Sequence, residues 1–327
     1  MQTRNLGTPV SALGLGAMGM SGAYGPSDRA ESIATVHAAL EAGVTLIDTG
    51  DFYGNGHNEM LLGEALRGVP RESYLLSVKF GALRGPDGSI AGVDARPAAV
   101  KNFLNYSLNR LGVDYLDVYR PARLDPAVPI EDTIGAIKEM VDAGFVRQVG
   151  LSEVGAETIR RAHAVHPISD LQIEYSIVSR GVEESVLPTL RELGIGMTAY
   201  GVLSRGLISG HWNAGPPSAG DGRSLQPRFA AENLDHNLSL VDALRRVASA
   251  KGCTVAQLAI AWVLAQGPDI VPLVGARTRE RLAEALPALD VTLSADDLAQ
   301  IETAVPRGSA RGDRYPTAMM AMLDVGN

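Results

Sequence analysis

Short apolar runs and helix-like segments alternate along almost the whole chain, and this alternation restricts the fold more than any other feature of the sequence. Eight apolar runs of strand length are each followed by a segment with helical periodicity. Eight β/α units in a chain of 327 residues predict an α/β fold, a single (β/α)8 TIM barrel. The predicted strands begin at Ala12, Thr45, Tyr74, Tyr115, Val146, Leu171, Ile195 and Ile270.

The segments before and after the predicted barrel have their own signals. Residues 4–11 carry Gly7 and Pro9 between short apolar pieces, which indicates a small N-terminal β-hairpin. An extra C-terminal helix is predicted after the last strand, and we expect residues 1–327 to form one domain. The tail, residues 306–327, either covers the pocket or is disordered. Its residues Tyr315, Met319, Met320 and Met322 are candidates for a pocket cover, because methionine adapts to varied ligands.

Composition excludes several classes of partner. The formal charge is −8, so the chain has no basic excess with which to bind a nucleic-acid backbone. No stretch approaches the roughly 18 consecutive apolar residues of a membrane span, and the N-terminus has no apolar signal region. With a single cysteine, Cys253, no intramolecular disulfide is possible. We therefore expect a cytoplasmic protein that binds neither nucleic acid, membrane nor metal.

Chemically versatile side chains lie where two predicted strands end. Asp48 ends the second strand, Lys79 ends the third, and Tyr53 follows Asp48 closely in the chain. In a barrel of this kind, catalytic residues lie at the carboxyl ends of the strands. The arrangement predicts a proton-transfer site. It is equally typical of a buried Asp–Lys ion pair beside a surface tyrosine, because structural pairs also perturb pKa values.

Glycine-rich segments fall next to the same strand ends. Gly14, Gly16 and Gly19 match the G-x-G-x-x-G pattern, but no helix begins at once and Asp48 follows too late to be the ribose acid of a Rossmann fold. A Rossmann site is therefore rejected. Residues 81–97 and 204–228 lie between a strand end and the next helix, which predicts mobile loops that cover the site.

Six segments resemble, in order, the motifs of the aldo-keto reductase family. The first, residues 45–54, is similar to the family's D-T-A-x-x-Y-G signature, and the match continues in register from about residue 4 to residue 305. The resemblance implies reduction of an aldehyde or ketone to an alcohol, with NADPH as the hydride donor and NADP+ as its product. The other five segments are residues 76–81, 150–153, 170–176, 199–206 and 271–277.

The resemblance also implies catalytic roles. Tyr53 would donate the proton that the reduced carbonyl oxygen needs. Lys79 would lower the pKa of the Tyr53 phenol from its usual value near 10, because a nearby cation favours the ionised form. Asp48 would hold Lys79 charged and oriented, and would contact the nicotinamide ribose. The implied substrate is a small carbonyl compound.

The same resemblance implies a cofactor-binding set. Tyr200 would stack on the nicotinamide ring, and Arg277 and Arg281 would take the adenosine 2′-phosphate, which favours NADPH over NADH. The alternative for these two arginines is a solvated face of the last barrel helix. The full set is Ala17, Met18, Asp48, Ser152, Glu153, Gln172, Tyr200, Gly201, Leu203, Arg205, Gly275, Arg277, Arg281 and Glu284.

The chain departs from the family pattern at two positions. Ala122 stands where the family has a histidine that donates a hydrogen bond to the substrate carbonyl, and Ala285 stands where it often has asparagine. Losing one such donor can lower turnover by roughly 10²–10³-fold. We expect Arg120, Arg123 or an ordered water to replace the histidine. Arg120 shares the inward parity of Ala122, and an inward Arg120 would favour substrates with a carboxylate or phosphate. Alternatively, both arginines form salt bridges at the barrel rim.

Two other functions remain compatible with these residues. The missing histidine is compatible with a cofactor-binding partner subunit of weak activity. A Schiff-base aldolase on the same barrel would use Lys79 as its nucleophile. The aldolase hypothesis gives no role to Tyr200, Arg205 or Arg277, so carbonyl reduction is the leading hypothesis.

Overall fold

The computed structural model describes residues 1–212, 215–218 and 220–324. Within these residues the chain forms twelve strands, most of them short and buried. The strands are β1 (Thr3–Asn5), β2 (Pro9–Ser11), β3 (Gly14–Gly16), β4 (Leu46–Gly50), β5 (Leu75–Phe80), β6 (Ala82–Arg84), β7 (Ile90–Val93), β8 (Leu116–Pro121), β9 (Val146–Ser152), β10 (Ile168–Glu174), β11 (Gly196–Tyr200) and β12 (Ile270–Val274).

Eight of these strands form a closed parallel barrel. Its order is β3, β4, β5, β8, β9, β10, β11 and β12, and β12 closes against β3. Each predicted strand overlaps one of the eight, so the predicted (β/α)8 barrel is confirmed. The pairing aligns the strand ends that carry polar side chains: Gly16 lies opposite Asp48, and Lys79 lies opposite Arg120.

Helices surround the barrel and pack their apolar faces on it. Local signals set their ends: Pro97 occupies the first helical position of one helix, and Thr254 starts another with a capping box. The helices are α1 (Arg29–Glu41), α2 (His57–Ala65), α3 (Pro97–Leu111), α4 (Ile130–Asp142), α5 (Ala156–Val165), α6 (Val186–Leu193), α7 (Ala231–Lys251), α8 (Val255–Ala265), α9 (Arg279–Ala285), α10 (Ala295–Ala304) and α11 (Thr317–Met320).

The N-terminal hairpin closes the amino end of the barrel. β1 and β2 pair antiparallel, as predicted, and Leu6 and Val10 pack with Leu46 and Val271 inside the barrel. Because this end is filled with apolar side chains, a ligand can enter the barrel only from the opposite, carboxyl end.

A second hairpin follows β5 at the carboxyl end. Residues 81–97 were expected to form a loop, but β6 and β7 pair antiparallel within that segment. Both strands are short and largely exposed, and Gly92 interrupts β7, so they carry neither the apolar run nor the alternation that predicts a strand. The second expected loop, residues 204–228, contains short 3₁₀ turns; residues 213, 214 and 219 lie outside the described residues.

The tail returns across the barrel. Asp324 accepts a hydrogen bond from Thr158 (2.6 Å), and residues 325–327 of the predicted cover lie outside the described residues. Among the described residues, no single helix has the length and apolar character needed to cross a membrane; α7 and α8 pass that test only together, and they are bent by 84°. The cytoplasmic location and the single-domain organisation of residues 1–327 stay predictions.

Candidate active site

A cavity of about 920 Å³ opens at the carboxyl ends of the barrel strands, and most of the predicted site residues line it. Three predicted residues do not: Ala17, Arg120 and Glu153 are buried behind its wall. Those that do are Met18, Asp48, Tyr53, Lys79, Ala122, Ser152, Gln172, Tyr200, Gly201, Leu203, Arg205, Gly275, Arg277, Arg281 and Glu284.

Asp48 and Lys79 form a buried ion pair at the centre of the cavity floor. The Lys79 Nζ atom lies 2.5 Å from Asp48 Oδ1. Ser77 and Gln172 each donate a hydrogen bond to Asp48 Oδ2, at 2.8 Å and 2.7 Å. A buried carboxylate is stable only when its oxygens are paired in this way. The Gln172 amide, predicted to hold a cofactor amide, is therefore already bonded to Asp48.

The turn after β4 brings Tyr53 over this pair. Asp51 donates its backbone N–H to the Lys79 carbonyl (2.9 Å), which joins the ends of β4 and β5. Gly54 and Asn55 then adopt positive φ angles of 56° and 54°, and the chain turns sharply into α2. As a result the Tyr53 ring centroid lies 5.0 Å from Lys79 Nζ.

The electrostatics of Tyr53 differ from the sequence-based expectation. Burial raises the pKa of the phenol well above its usual value, the Asp48 carboxylate raises it further, and Arg123 opposes both. Burial also lowers the pKa of Lys79, partly offset by Asp48. The expectation that the pKa of Tyr53 falls below its usual value is wrong, because burial and the Asp48 carboxylate raise that pKa more than nearby cations lower it. The phenol consequently keeps its proton at neutral pH and is available as a donor.

A buried acidic cluster, which the sequence did not reveal, lies behind the Tyr53 turn. Asp51 Oδ2 accepts a hydrogen bond from the Gly81 N–H (3.2 Å), and Glu59 on α2 pairs with Arg110 (3.0 Å). Within the described residues, Asp51 Oδ1 has no partner. Burial raises the pKa of Asp51 to about 7; the Gly81 N–H opposes this rise and Glu59 adds to it.

Replacing Asp51 by Asn should stabilise the protein at alkaline pH. The pKa of Asp51 is about 7 in the fold against 3.8 when free, so ionising this side chain costs stability. The penalty is absent below pH 3.8, grows as the pH rises, and is complete above pH 7. We expect the stability gain of Asp51→Asn, measured by urea unfolding, to be about 1–3 kcal/mol larger at pH 8 than at pH 5. An equal gain at both pH values would contradict the raised pKa.

The tail covers one wall of the cavity. Arg314 forms two hydrogen bonds to Glu153, at 2.8 Å and 2.7 Å, and the Tyr315 hydroxyl lies 2.8 Å from that of Tyr200. Burial, the largest single influence, raises the pKa of Glu153, but Arg314, Arg123 and the Tyr200 hydroxyl together outweigh it and the pKa is lowered. Glu153 therefore anchors the tail as a carboxylate and does not face the cavity. Tyr315, Met319 and Met322 do line it.

Comparison with known proteins decides the family. The model of the Aldo/keto reductase family matches residues 12–306. The chain belongs to the aldo/keto reductase family. "Probable aldo-keto reductase 1" from Glycine max is 43% identical over 312 residues, which cover 94% of this chain and 89% of that protein. The resemblance based on six motifs is thereby confirmed, and membership makes the protein an oxidoreductase of the class that acts on carbonyl compounds with a nicotinamide cofactor.

Solved structures agree with this assignment. A glycerol dehydrogenase, AKR11B4, from Gluconobacter oxydans has a TM-score of 0.84 at 28% identity and covers 93% of this chain and 94% of its own. An aldo-keto reductase from Klebsiella pneumoniae, solved in complex with NADPH, has a TM-score of 0.75 at 26% identity, with coverage of 97% and 100%.

In this aldo-keto reductase, Arg120 does not reach the substrate side of the cavity. It lies inside the barrel and is 1% exposed, with its guanidinium 2.9 Å from Asp170 and 2.9 Å from Ser77. Of the three expected replacements for the family histidine, Arg120 is therefore wrong, while Arg123 and an ordered water stay predictions. The alternative of a rim salt bridge is also wrong for Arg120, because its ion pair with Asp170 lies inside the barrel. Arg120 lies on the inward face of its strand, as alternation predicts. Because it precedes Ala122 by two residues, it lies one layer deeper in the barrel.

The cations at the far end of the cavity differ in how they are paired. Arg281 pairs with Glu284 (3.0 Å), which also bonds His211 (2.7 Å). Within the part of the chain that the structure describes, the Arg277 side chain donates only to the backbone carbonyls of Tyr24 and Pro26, each at 3.0 Å. Arg277 therefore keeps a net positive charge toward the cavity. Ala285, where the family often has asparagine, also lines this end.

Proposed function

We propose that this aldo-keto reductase reduces an aldehyde or ketone to an alcohol with NADPH, and that Tyr53 donates the proton. One observation carries the proposal: the Tyr53 ring lies 5.0 Å from a Lys79 ammonium that is itself 2.5 Å from Asp48, at the floor of a large cavity. A protonated phenol above a fixed ion pair is the arrangement that carbonyl reduction requires of its acid.

The lining residues fit a nicotinamide dinucleotide. Among the described residues, the buried Ser152 Oγ has no hydrogen-bond partner, and it faces the cavity. Ser204 and Arg205 have positive φ angles of 46° and 56°, an unusual backbone that points to a binding loop. Arg277, which has no carboxylate partner among the residues that the structure describes, suits a phosphate monoester and supports NADPH over NADH. When bound, the cofactor supplies the hydride.

The proposed cofactor-binding set follows from these observations. Ser152 and Gln172 would hold the nicotinamide amide beside Tyr200, and Arg277 with Arg281 would hold the 2′-phosphate. The remaining members of the proposed set are Met18, Asp48, Gly201, Leu203, Arg205, Gly275 and Glu284.

Each catalytic side chain then has a distinct task. Tyr53 holds a proton until negative charge develops on the carbonyl oxygen, at which point the phenol transfers it. Lys79 stabilises the resulting phenolate, because an ammonium 5.0 Å from the ring centroid favours the ionised form. Asp48 keeps Lys79 charged and fixed in position. The Lys79 amine is thus engaged by Asp48, which disfavours its use as a Schiff-base nucleophile.

Transfer of deuterium from the cofactor tests the proposal. The protein is incubated with NADPH deuterated at C4 and a panel of aromatic aldehydes, dicarbonyls, pyridoxal and sugar aldehydes. We expect deuterium on the carbinol carbon of the alcohol, detected by mass spectrometry, in step with loss of NADPH absorbance. NADPH binding without turnover across the panel would instead favour a partner subunit, and borohydride trapping of a substrate on Lys79 would favour an aldolase.

A further inference from the structure

Arg123 is a cation that lines the cavity next to Ala122, and it forms no ion pair with any acid of the described residues. Its guanidinium donates one hydrogen bond to the Ala122 carbonyl (2.6 Å) and a long one to the Tyr315 hydroxyl (3.4 Å). No carboxylate of the described residues lies within ion-pair distance of it. A guanidinium has five N–H donors and stays charged at any working pH, so these two hydrogen bonds leave further donors for a ligand in the cavity that Arg123 lines.

Arg123 also lies close enough to the proposed acid for its charge to act on that residue. Its charge lowers the pKa of both Tyr53 and Lys79, although burial has the larger influence on each. Arg123 therefore lies within electrostatic reach of the reacting centre. The contact with the Tyr315 ring, 5.7 Å from the guanidinium carbon to the ring centroid, holds the side chain against the tail.

The surrounding charges leave this end of the cavity positive. Lys79 pairs with Asp48, and Glu153, an acid whose charge acts on Arg123, pairs with Arg314. A second cation, Arg84 on the β6–β7 hairpin, also lines the cavity, and among the described residues its side chain hydrogen-bonds to the neutral Asn55 (3.5 Å) and forms no ion pair. The chain as a whole has a formal charge of −8, so an excess of basic residues does not explain why a cation in the cavity lacks an ion-pair partner among the described residues.

Apolar side chains line the same cavity as Arg123, among them Phe52, Ile90, Val93, Met319 and Met322. Apolar lining together with a cation that has no carboxylate partner among the described residues fits a ligand with an apolar body and an anionic group.

We infer that Arg123 forms an anion subsite, so that the preferred substrate is a carbonyl compound that also carries a carboxylate or a phosphate monoester. This inference rests on the proposed carbonyl reduction. The guanidinium would bind the anionic group by paired hydrogen bonds and orient the carbonyl toward Tyr53. Arg123, and not Arg120, then sets the substrate class.

Isosteric aldehydes test this subsite. The test compares 4-carboxybenzaldehyde with its neutral isostere 4-carbamoylbenzaldehyde, and 4-formylphenyl phosphate separates phosphate from carboxylate recognition. We expect wild-type kcat/KM to be roughly 10-fold or more higher for the better anion than for the amide. Arg123→Met should lower that value by roughly 10- to 100-fold and change the amide value less than about threefold. If Arg123→Met lowers kcat/KM for only one of the two anionic aldehydes, the carboxylate or the phosphate ester, that compound identifies the anion that Arg123 binds.

Controls separate the alternatives. Arg123→Gln keeps a polar side chain and should reproduce the loss even if the Met variant folds poorly, whereas Arg123→Lys should retain part of the preference. Arg67→Met removes a charge from the exposed surface and should leave both values unchanged. Equal losses for acid and amide would overturn the inference, because Arg123 would then serve the carbonyl itself. Unchanged values in the Arg123 variants would overturn it as well.

A binding measurement distinguishes failure of this inference from failure of the proposed function. Calorimetry would compare 4-(hydroxymethyl)benzoate and its amide on the protein with NADP+. Preferential, Arg123-dependent binding of the acid supports the anion subsite even if no aldehyde is reduced. Equal binding of acid and amide to the wild-type protein overturns it even if reduction is observed.

Discussion

Tyr53→Phe should lower kcat for carbonyl reduction by roughly 10²–10⁴-fold, the usual contribution of a positioned general acid. The substitution removes one hydroxyl and keeps the ring that lies 5.0 Å from Lys79 Nζ. The Asp48–Lys79 pair, bonded to Ser77 and Gln172, keeps its own partners. We therefore expect an unchanged affinity for NADPH, measured by quenching of protein fluorescence, alongside the loss of single-turnover reduction.

The matched control is Tyr106→Phe. Tyr106 is exposed on α3, and the loss of its hydroxyl should alter neither kcat nor NADPH affinity. If Tyr53→Phe retained more than a tenth of the wild-type rate, another group would donate the proton. A parallel loss of NADPH binding would show that the variant acts on cofactor affinity and not on proton donation.

The barrel could be predicted from the sequence because its signals are local. The predicted strands at Val146 and Ile270 begin at those residues in the structure, since an apolar run bounded by turn residues needs no tertiary information. The β6–β7 hairpin could not be predicted in this way. Its strands are held by pairing with each other at the rim of the cavity, and neither buries a continuous face.

The central site residues were also accessible from the sequence. Asp48 lies two residues before the end of β4 and Lys79 one residue before the end of the neighbouring parallel strand β5, and a closed barrel brings the carboxyl ends of its strands together. The position of Arg120 was not accessible, because alternation tells which face of a strand a side chain occupies but not its depth inside the barrel. Arg120 forms its ion pair one layer below the cavity, whereas Arg123, which follows the end of the strand, lines the cavity.

Two further features depend on distant contacts. The raised pKa of Tyr53 reflects burial first and the Asp48 charge second, and burial is a property of the folded surroundings. The ion pair between Glu153 and Arg314 joins residues 161 positions apart, and no spacing pattern in the sequence predicts it. The sequence therefore supplied the candidate residues, while their protonation and their partners required the fold.

Arg120→Met should destabilise the protein by about 3–5 kcal/mol, the cost of breaking a buried ion pair. Arg120 and Asp170 are each at most 1% exposed, and their side chains lie 2.9 Å apart. Removing the guanidinium leaves the Asp170 carboxylate in the barrel interior, where its remaining side-chain donors among the described residues are Thr198 and Ser169. Urea unfolding with an unchanged denaturant slope would measure the loss.

A double-mutant cycle measures the interaction free energy between the two buried charges. Arg120→Met combined with Asp170→Asn removes both buried charges, so we expect the combined loss to be smaller than the sum of the single losses by about 2 kcal/mol or more. Losses that add to within about 0.5 kcal/mol would contradict an ion pair and leave only a packing effect. Lys138→Met, which removes an exposed partner of Asp142, is the control and should cost at most about 0.5 kcal/mol.

The pair also connects to the catalytic floor. Arg120 donates to the Ser77 hydroxyl (2.9 Å), and that hydroxyl donates to Asp48 (2.8 Å). In Arg120→Met, Ser77 loses the donor that orients its proton toward Asp48, so the carboxylate that positions Lys79 is less constrained. The double variant should therefore recover stability without full recovery of kcat. Complete recovery of both would show that Ser77 keeps its orientation without Arg120, and that the interior pair serves stability alone.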